Sequence, residues 1–156
     1  MKKVMFISSV GGHLTQILEL KDLFNDYKYV LITEKTDVTV SMKDKYNMSY
    51  LKYGSRKYIF SYIFIAMFNI IKSFCLYLKY RPKVIVTTGT HTAVPMCIIG
   101  KIFGSKVIYI ESFAKRTTPT VSGKFIYKLH AYSIFVVQWE SMLKFYPKAE
   151  YWGGIY

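Results

Sequence analysis

Two glycine turns, two histidines and one carboxylate are placed in this chain where chemistry can happen. The apolar run Val4–Ser8 leads into Gly11-Gly12-His13, and Val84–Thr87 leads into Thr88-Gly89-Thr90-His91-Thr92. A strand, a glycine turn and a helix start gather backbone N–H groups at the positive end of a helix, which suits a phosphate or another anion. A third run, Val107–Ile110, ends in Glu111-Ser112-Phe113. Ligands of open parallel sheets collect at the carboxyl ends of strands. The three segments are therefore expected to meet in one cleft, with Gly11, Gly12, Gly89, Thr90, His91 and Ser112 near an anion. Each residue also has a plainer use: His13 starting a helix, His91 bonding its own loop, Glu111 pairing with Lys115 or Arg116. A full dinucleotide fingerprint is absent, since no third glycine follows His13. There is no Gly-x-Ser-x-Gly elbow for a serine hydrolase. No carboxylate–histidine pair falls at helical ligand spacing, so no metal and no cofactor are expected.

The elements that position these residues alternate. Candidate strands are Val4–Ser8, Tyr29–Thr33, Ser49–Lys52, Val84–Thr87, Val107–Ile110 and Ile134–Val137. Residues 13–25 carry an amphipathic helical pattern, and Thr92–Phe103, Gly123–His130 and Glu140–Tyr146 read as further helices. Continuous apolar strands between helices predict an α/β fold, a doubly wound parallel sheet covered on both faces. The 156 residues fit one domain, 1–156. Cys75 and Cys97 lie in apolar segments without metal or redox spacing, and are expected as buried free thiols. The apolar run after Met1-Lys2-Lys3 is too short for a signal-peptide core.

Charge is lopsided: 22 Lys and Arg against nine Asp and Glu. No carboxylate occurs from Lys45 to Tyr109, a stretch with ten Lys and Arg. Within it, Tyr58–Leu78 has Lys72 as its single charge, with Arg56 and Lys57 before it and Lys79, Arg81 and Lys83 after it. As a helix it is about 30 Å long, enough to span a hydrocarbon core. Strands on either side must share one sheet, so a helix lying on a membrane surface is favoured over a span. Ile59, Phe60, Ile63 and Phe64 would enter the bilayer, with Arg56 and Lys57 on lipid phosphates. Nucleic acid is disfavoured, because the cations flank an apolar segment and form no polar basic face. A wholly buried core helix is the competing reading.

The order Gly-Gly-His, Thr-Gly-Thr-His, Tyr-Ile-Glu-Ser, Ser122-Gly123-Lys124, Val137-Gln138-Trp139 and Tyr146-Pro147-Lys148 resembles one family along nearly the whole chain. It is the membrane-recruiting subunit of the two-component UDP-N-acetylglucosamine transferase of lipid-linked oligosaccharide synthesis. Bacterial relatives accompany capsular and exopolysaccharide β-1,4-glycosyltransferases. The family is similar to the N-terminal half of the GT-B transferase that acts on lipid-linked muramyl pentapeptide. The resemblance implies a Rossmann-like, acceptor-side half enzyme on the cytoplasmic face of the cell membrane. A separate nucleotide-sugar-binding subunit would meet it around Tyr151, Trp152 and Gly153. The reaction implied is transfer from a UDP-sugar to a polyprenyl-diphosphate-linked saccharide, with His13 as base or acceptor-orienting group and Glu111 assisting it across the cleft. The chain alone would be inactive or weakly active. Two alternatives compete: a non-catalytic enhancer of an independently active β-1,4-galactosyltransferase, and a lone nucleotide-binding protein in which Glu34 is the sole candidate ribose-binding acid.

Overall fold

A computed structural model describes residues 1–55, 57 and 59–155, with Ile59 described by its backbone. Seven strands form one sheet in the order β3-β2-β1-β4-β5-β6-β7, every pair parallel. They are β1 Lys3–Ile7, β2 Lys28–Lys35, β3 Met48–Lys52, β4 Val84–Thr87, β5 Lys106–Ile110, β6 Ile134–Val137 and β7 Glu150–Tyr151. The helices are α1 Gly12–Leu18, α2 Asp37–Ser41, α3 Ile59–Tyr80, α4 Val94–Ile102 and α5 Val121–Lys128. The six predicted strands are all present and the sheet is doubly wound.

Alternation along the strands feeds two apolar layers. Met5, Ile7, Ile32, Ile85 and Val107 pack with Leu76, Met96 and Ile126 from α3, α4 and α5. Val4, Phe6, Leu31, Val86 and Ile110 pack with Leu14 and Ile17 of α1 on the opposite face. From β1 the chain winds outward to β3, returns through α3, and winds outward the other way from β4. The direction of winding switches between β1 and β4, and their carboxyl-end turns open side by side.

The pattern over 13–25 breaks into α1 and a 3-10 turn, Lys21–Phe24. The tighter turn delivers Phe24 to Phe6 and Tyr29, with ring centroids 4.8 and 4.3 Å away. Glu140–Lys144 is likewise a 3-10 turn. Cys97 is buried as expected, whereas Cys75 is exposed, which corrects that expectation. The reason is the orientation of α3.

That helix is inverted for a water-soluble fold. Phe60, Ile63, Phe64, Met67, Phe68 and Ile71 repeat at helical spacing and all face outward, Phe60 being 79% exposed. The wholly buried core helix is thereby excluded. Its inner face is stitched by polar groups. Asn69 accepts the Lys52 N–H and donates to the Lys52 carbonyl, both at 2.8 Å. Tyr80 bonds Ser49 at 2.6 Å and Tyr77 bonds Ser105 at 2.8 Å. Arg56 and the Ile59 side chain, two of the expected membrane contacts, lie outside the described residues.

Candidate functional site

The turn after β1 needs a glycine, because Gly11 has φ 82°. It places half-buried His13 in the first turn of α1. The imidazole Nδ1 is 2.8 Å from the Thr88 carbonyl, and the Thr88 hydroxyl donates to the His13 carbonyl, also at 2.8 Å. A carbonyl only accepts, so Nδ1 carries a proton, and in the neutral form of the ring Nε2 is the acceptor. The two turns at the switch point are thus tied together by a reciprocal pair of hydrogen bonds.

The turn after β4 is more strained. Gly89 has φ 97°, and a Cβ there would approach the Tyr109 hydroxyl to 2.7 Å. Thr90, a β-branched residue, has φ 81°, a conformation costing about 1–3 kcal/mol. Its buried hydroxyl has no protein partner. Backbone strain and an unsatisfied hydroxyl thus coincide in one turn at the carboxyl end of β4.

Glu34, at the end of β2, lies behind both turns. It accepts the Val10 N–H at 3.1 Å and the Thr92 hydroxyl at 2.7 Å. Its 3% exposure makes it a tie between loops instead of a ribose ligand facing solvent.

In front of the turns lies a cavity of about 590 Å³. His13, Thr90, His91, Lys115 and Ser122 give it a polar wall, and Ala66, Ile70, Val94, Pro95 and Phe125 an apolar one. Ile70, Phe125 and the lining residue Val121 are also exposed at the surface, so the cavity opens onto the apolar face of α3 and α5.

The structure brings His13, Thr90 and His91 to this cavity, whereas Gly11, Gly12 and Gly89 shape the turns behind it without lining it, and Glu111 and Ser112 lie away from it. Glu111 is 1% exposed, beneath α5. It accepts the Tyr146 hydroxyl at 2.7 Å and the Ser112 N–H at 3.0 Å. It forms no ion pair with Lys115 or Arg116 among the described residues. The group holding the His13 imidazole is the Thr88 carbonyl, and not the expected carboxylate. Burial, then the charge of Glu111, pushes the Tyr109 and Tyr146 hydroxyls above the ordinary tyrosine range. Both stay neutral donors, Tyr146 to the carboxylate and Tyr109 to the Ser122 hydroxyl at 3.3 Å.

Gly123 explains the Ser-Gly-Lys segment. A Cβ at this position would overlap the Glu111 carboxylate and reach within 2.7 Å of both the Thr120 and Tyr146 oxygens. Gly123→Ala is expected to lower stability by about 1–3 kcal/mol through overpacking, measured by urea denaturation at constant m-value.

The Gln-Trp pair orders the carboxyl ends of β5 and β6. Gln138 donates to the Gln16 side chain at 3.1 Å and to the Glu111 carbonyl at 2.9 Å, and accepts the Ile155 N–H at 3.0 Å. Trp139 donates to the Phe113 carbonyl at 2.7 Å under the Arg116 guanidinium, which is 4.1 Å from its ring. The tail that Gln138 holds carries Tyr151 and Trp152, both exposed, and half-buried Gly153.

The profile of the family described as "Oligosaccharide biosynthesis protein Alg14 like" matches residues 4–155. The chain belongs to this family. As an Alg14-like chain it is 28% identical over 181 residues to the UDP-N-acetylglucosamine transferase subunit ALG14 of Mus musculus, covering 98% of this chain and 82% of that one. Its fold resembles the crystal structure of Acinetobacter baumannii MurG, with a TM-score of 0.73 at 14% identity, over 90% of this chain and 43% of MurG. It also resembles the UDP-N-acetylglucosamine 2-epimerase of Rickettsia bellii, with a TM-score of 0.74 at 14% identity, over 99% of this chain and 45% of the epimerase. The Alg14-like chain thus spans under half the length of these two solved proteins. At such identities the likeness establishes a shared Rossmann-like fold.

Sequence reasoning missed Glu34 as a tie between turns, and also Thr88 and Lys115. Glu34 lies 24 and 58 residues from its partners Val10 and Thr92, so no local spacing marks it.

Proposed function

We propose that the chain is the acceptor-side, membrane-recruiting subunit of a two-chain glycosyltransferase that moves a sugar from a UDP-sugar to a polyprenyl-diphosphate-linked saccharide. The observation that carries this reading is one cavity with two chemistries: an imidazole and hydroxyl wall at the switch point, opening onto an exposed apolar helix face. A lipid-linked acceptor needs both at once. His13 takes the proton of the attacking hydroxyl through Nε2, while Thr88 fixes the ring. The setting is bacterial-type capsular or exopolysaccharide synthesis, with a β-1,4 bond formed at the cytoplasmic face of the membrane.

Membrane attachment follows from α3, whose outward stripe enters the interface while Lys57, Lys79, Arg81 and Lys83 meet anionic head groups. Cys75 sits within that outward helix surface. In free protein it is expected to react with a water-soluble alkylating reagent and to be protected by anionic vesicles. Cys97, buried with its thiol pushed up to about 12, stays unreactive at pH 8 in both states, because the thiolate is the nucleophile. Mass spectrometry of the labelled peptides reads both. Equal labelling of Cys75 with and without vesicles removes α3 from the membrane contact.

The separate nucleotide-sugar-binding subunit docks on the Tyr151–Gly153 segment, where the exposed Tyr151 and Trp152 side chains supply anchors. Reconstitution tests the whole reading. The chain alone is expected to give no transfer to a polyprenyl-diphosphate saccharide, and the pair to give robust transfer. Deleting residues 151–156 is expected to abolish association. Full transfer by the partner alone would reduce this chain to an accessory enhancer.

A further inference from the structure

Glu34 has a neighbour beyond its two hydrogen-bond donors. The oxygen that accepts the Thr92 hydroxyl also lies 3.9 Å from Nε2 of His91. A carboxylate that is almost fully buried is poorly compensated by two neutral donors, and a cation completes its surroundings. Among the described residues His91 is the basic side chain beside this carboxylate, and it forms an ion pair with it when the imidazole is protonated.

This arrangement sorts the cavity electrically. The Val10 N–H is already committed to Glu34, so the negative charge sits directly behind the Gly11-Gly12 turn and disfavours an anion there. The groups able to carry positive charge lie elsewhere in the cavity: His91, whose side chain is 42% exposed, and Lys115. The ring of Tyr62 from α3 lies 5.5 Å from that of His91. The two imidazoles therefore have different backing. His13 leans on a neutral carbonyl and keeps an accepting nitrogen, whereas His91 leans on a carboxylate and is suited to act as a cation.

We propose that Glu34 is a positioning residue that holds His91 as the cation meeting the diphosphate of the lipid-linked acceptor, on the His91–Lys115 side of the cavity. The proposal rests on the acceptor-side reading above. It assigns the diphosphate a place that the glycine turns alone do not give.

Geranylgeranyl diphosphate and geranylgeraniol in detergent micelles are the probes, titrated calorimetrically into the full chain. The wild type is expected to bind the diphosphate more tightly than the alcohol. His91→Ala and Glu34→Gln should each weaken diphosphate binding about tenfold, the loss of one charge-assisted contact, and leave alcohol binding unchanged. The double variant should be no weaker than His91→Ala alone, because the carboxylate acts through the imidazole. Additive losses, or equal weakening of both probes by Glu34→Gln, overturn the proposal and leave Glu34 as a tie between turns. If Glu34→Gln fails to fold, Thr92→Val removes a bond to the carboxylate without removing its charge. The diphosphate preference should then survive, and its loss to the extent seen in His91→Ala overturns the proposal. A wild type that does not distinguish diphosphate from alcohol sinks the acceptor reading itself, a result separate from any variant.

Discussion

His13→Ala is expected to lower turnover of the proposed reconstituted pair by about 10²–10⁴-fold, the range for losing general acid–base help. Steady-state kinetics on a polyprenyl-diphosphate saccharide would show the loss in kcat, with KM little changed, because the imidazole acts on the proton and not on the bulk of the acceptor. The fold is expected to survive: the side chain is half-buried, and its ring is hydrogen-bonded to the Thr88 carbonyl at 2.8 Å. Thr88→Val provides the control. It removes the hydroxyl that donates to the His13 carbonyl but leaves the Thr88 carbonyl in place, so a smaller loss is expected. Wild-type turnover in His13→Ala would assign the proton to another group.

Replacing Phe64 and Ile71 together by Glu is expected to reduce binding to anionic vesicles by at least about 10²-fold. Each apolar side chain at the interface contributes roughly 1.5–3 kcal/mol when fully buried, and two new carboxylates repel anionic head groups. Both residues are exposed, Phe64 at 72% and Ile71 at 66%, so the substitutions leave the core untouched. Vesicle sedimentation measures the loss, and a thermal melt in detergent checks the fold. Salt separates the two contributions in the wild type: raising ionic strength weakens binding without abolishing it, since apolar burial is not screened. Undiminished sedimentation of the double variant would place the membrane contact elsewhere.

Strand positions were legible because buried parallel strands are continuous apolar runs, and the six long enough to show it were found. The two-residue β7 and the five-residue α2 are too short to carry a period. The capping of α2, in which Thr36 and Thr39 bond reciprocally, was the available signal for its start. Reading Cys75 as buried failed because apolar composition says that a side chain avoids water and not which neighbour replaces it. On the site side, the turns bearing His13 and His91 were legible from glycine placement at strand ends. Contacts across long sequence separations were not. Tyr146 and Glu111 are 35 residues apart, and no spacing announces that a tyrosine will occupy the carboxylate. The Ser-Gly-Lys segment was noticed as a pattern. Its physical content, a glycine pressed against Glu111, needed the packing.

The polar seam beneath α3 has a consequence for how the molecule tolerates lipid. Apolar contacts lose their advantage once hydrocarbon replaces water as the surrounding solvent, because a lipid tail is as good a neighbour as leucine. Hydrogen bonds do not, since nothing in hydrocarbon competes for the donors and acceptors. A helix tied to its sheet through Asn69, Tyr77 and Tyr80 is therefore fastened by the kind of bond that a bilayer or a micelle cannot dissolve. On the proposed membrane, the outward side of α3 would meet lipid while the seam keeps the helix from being pulled off the sheet.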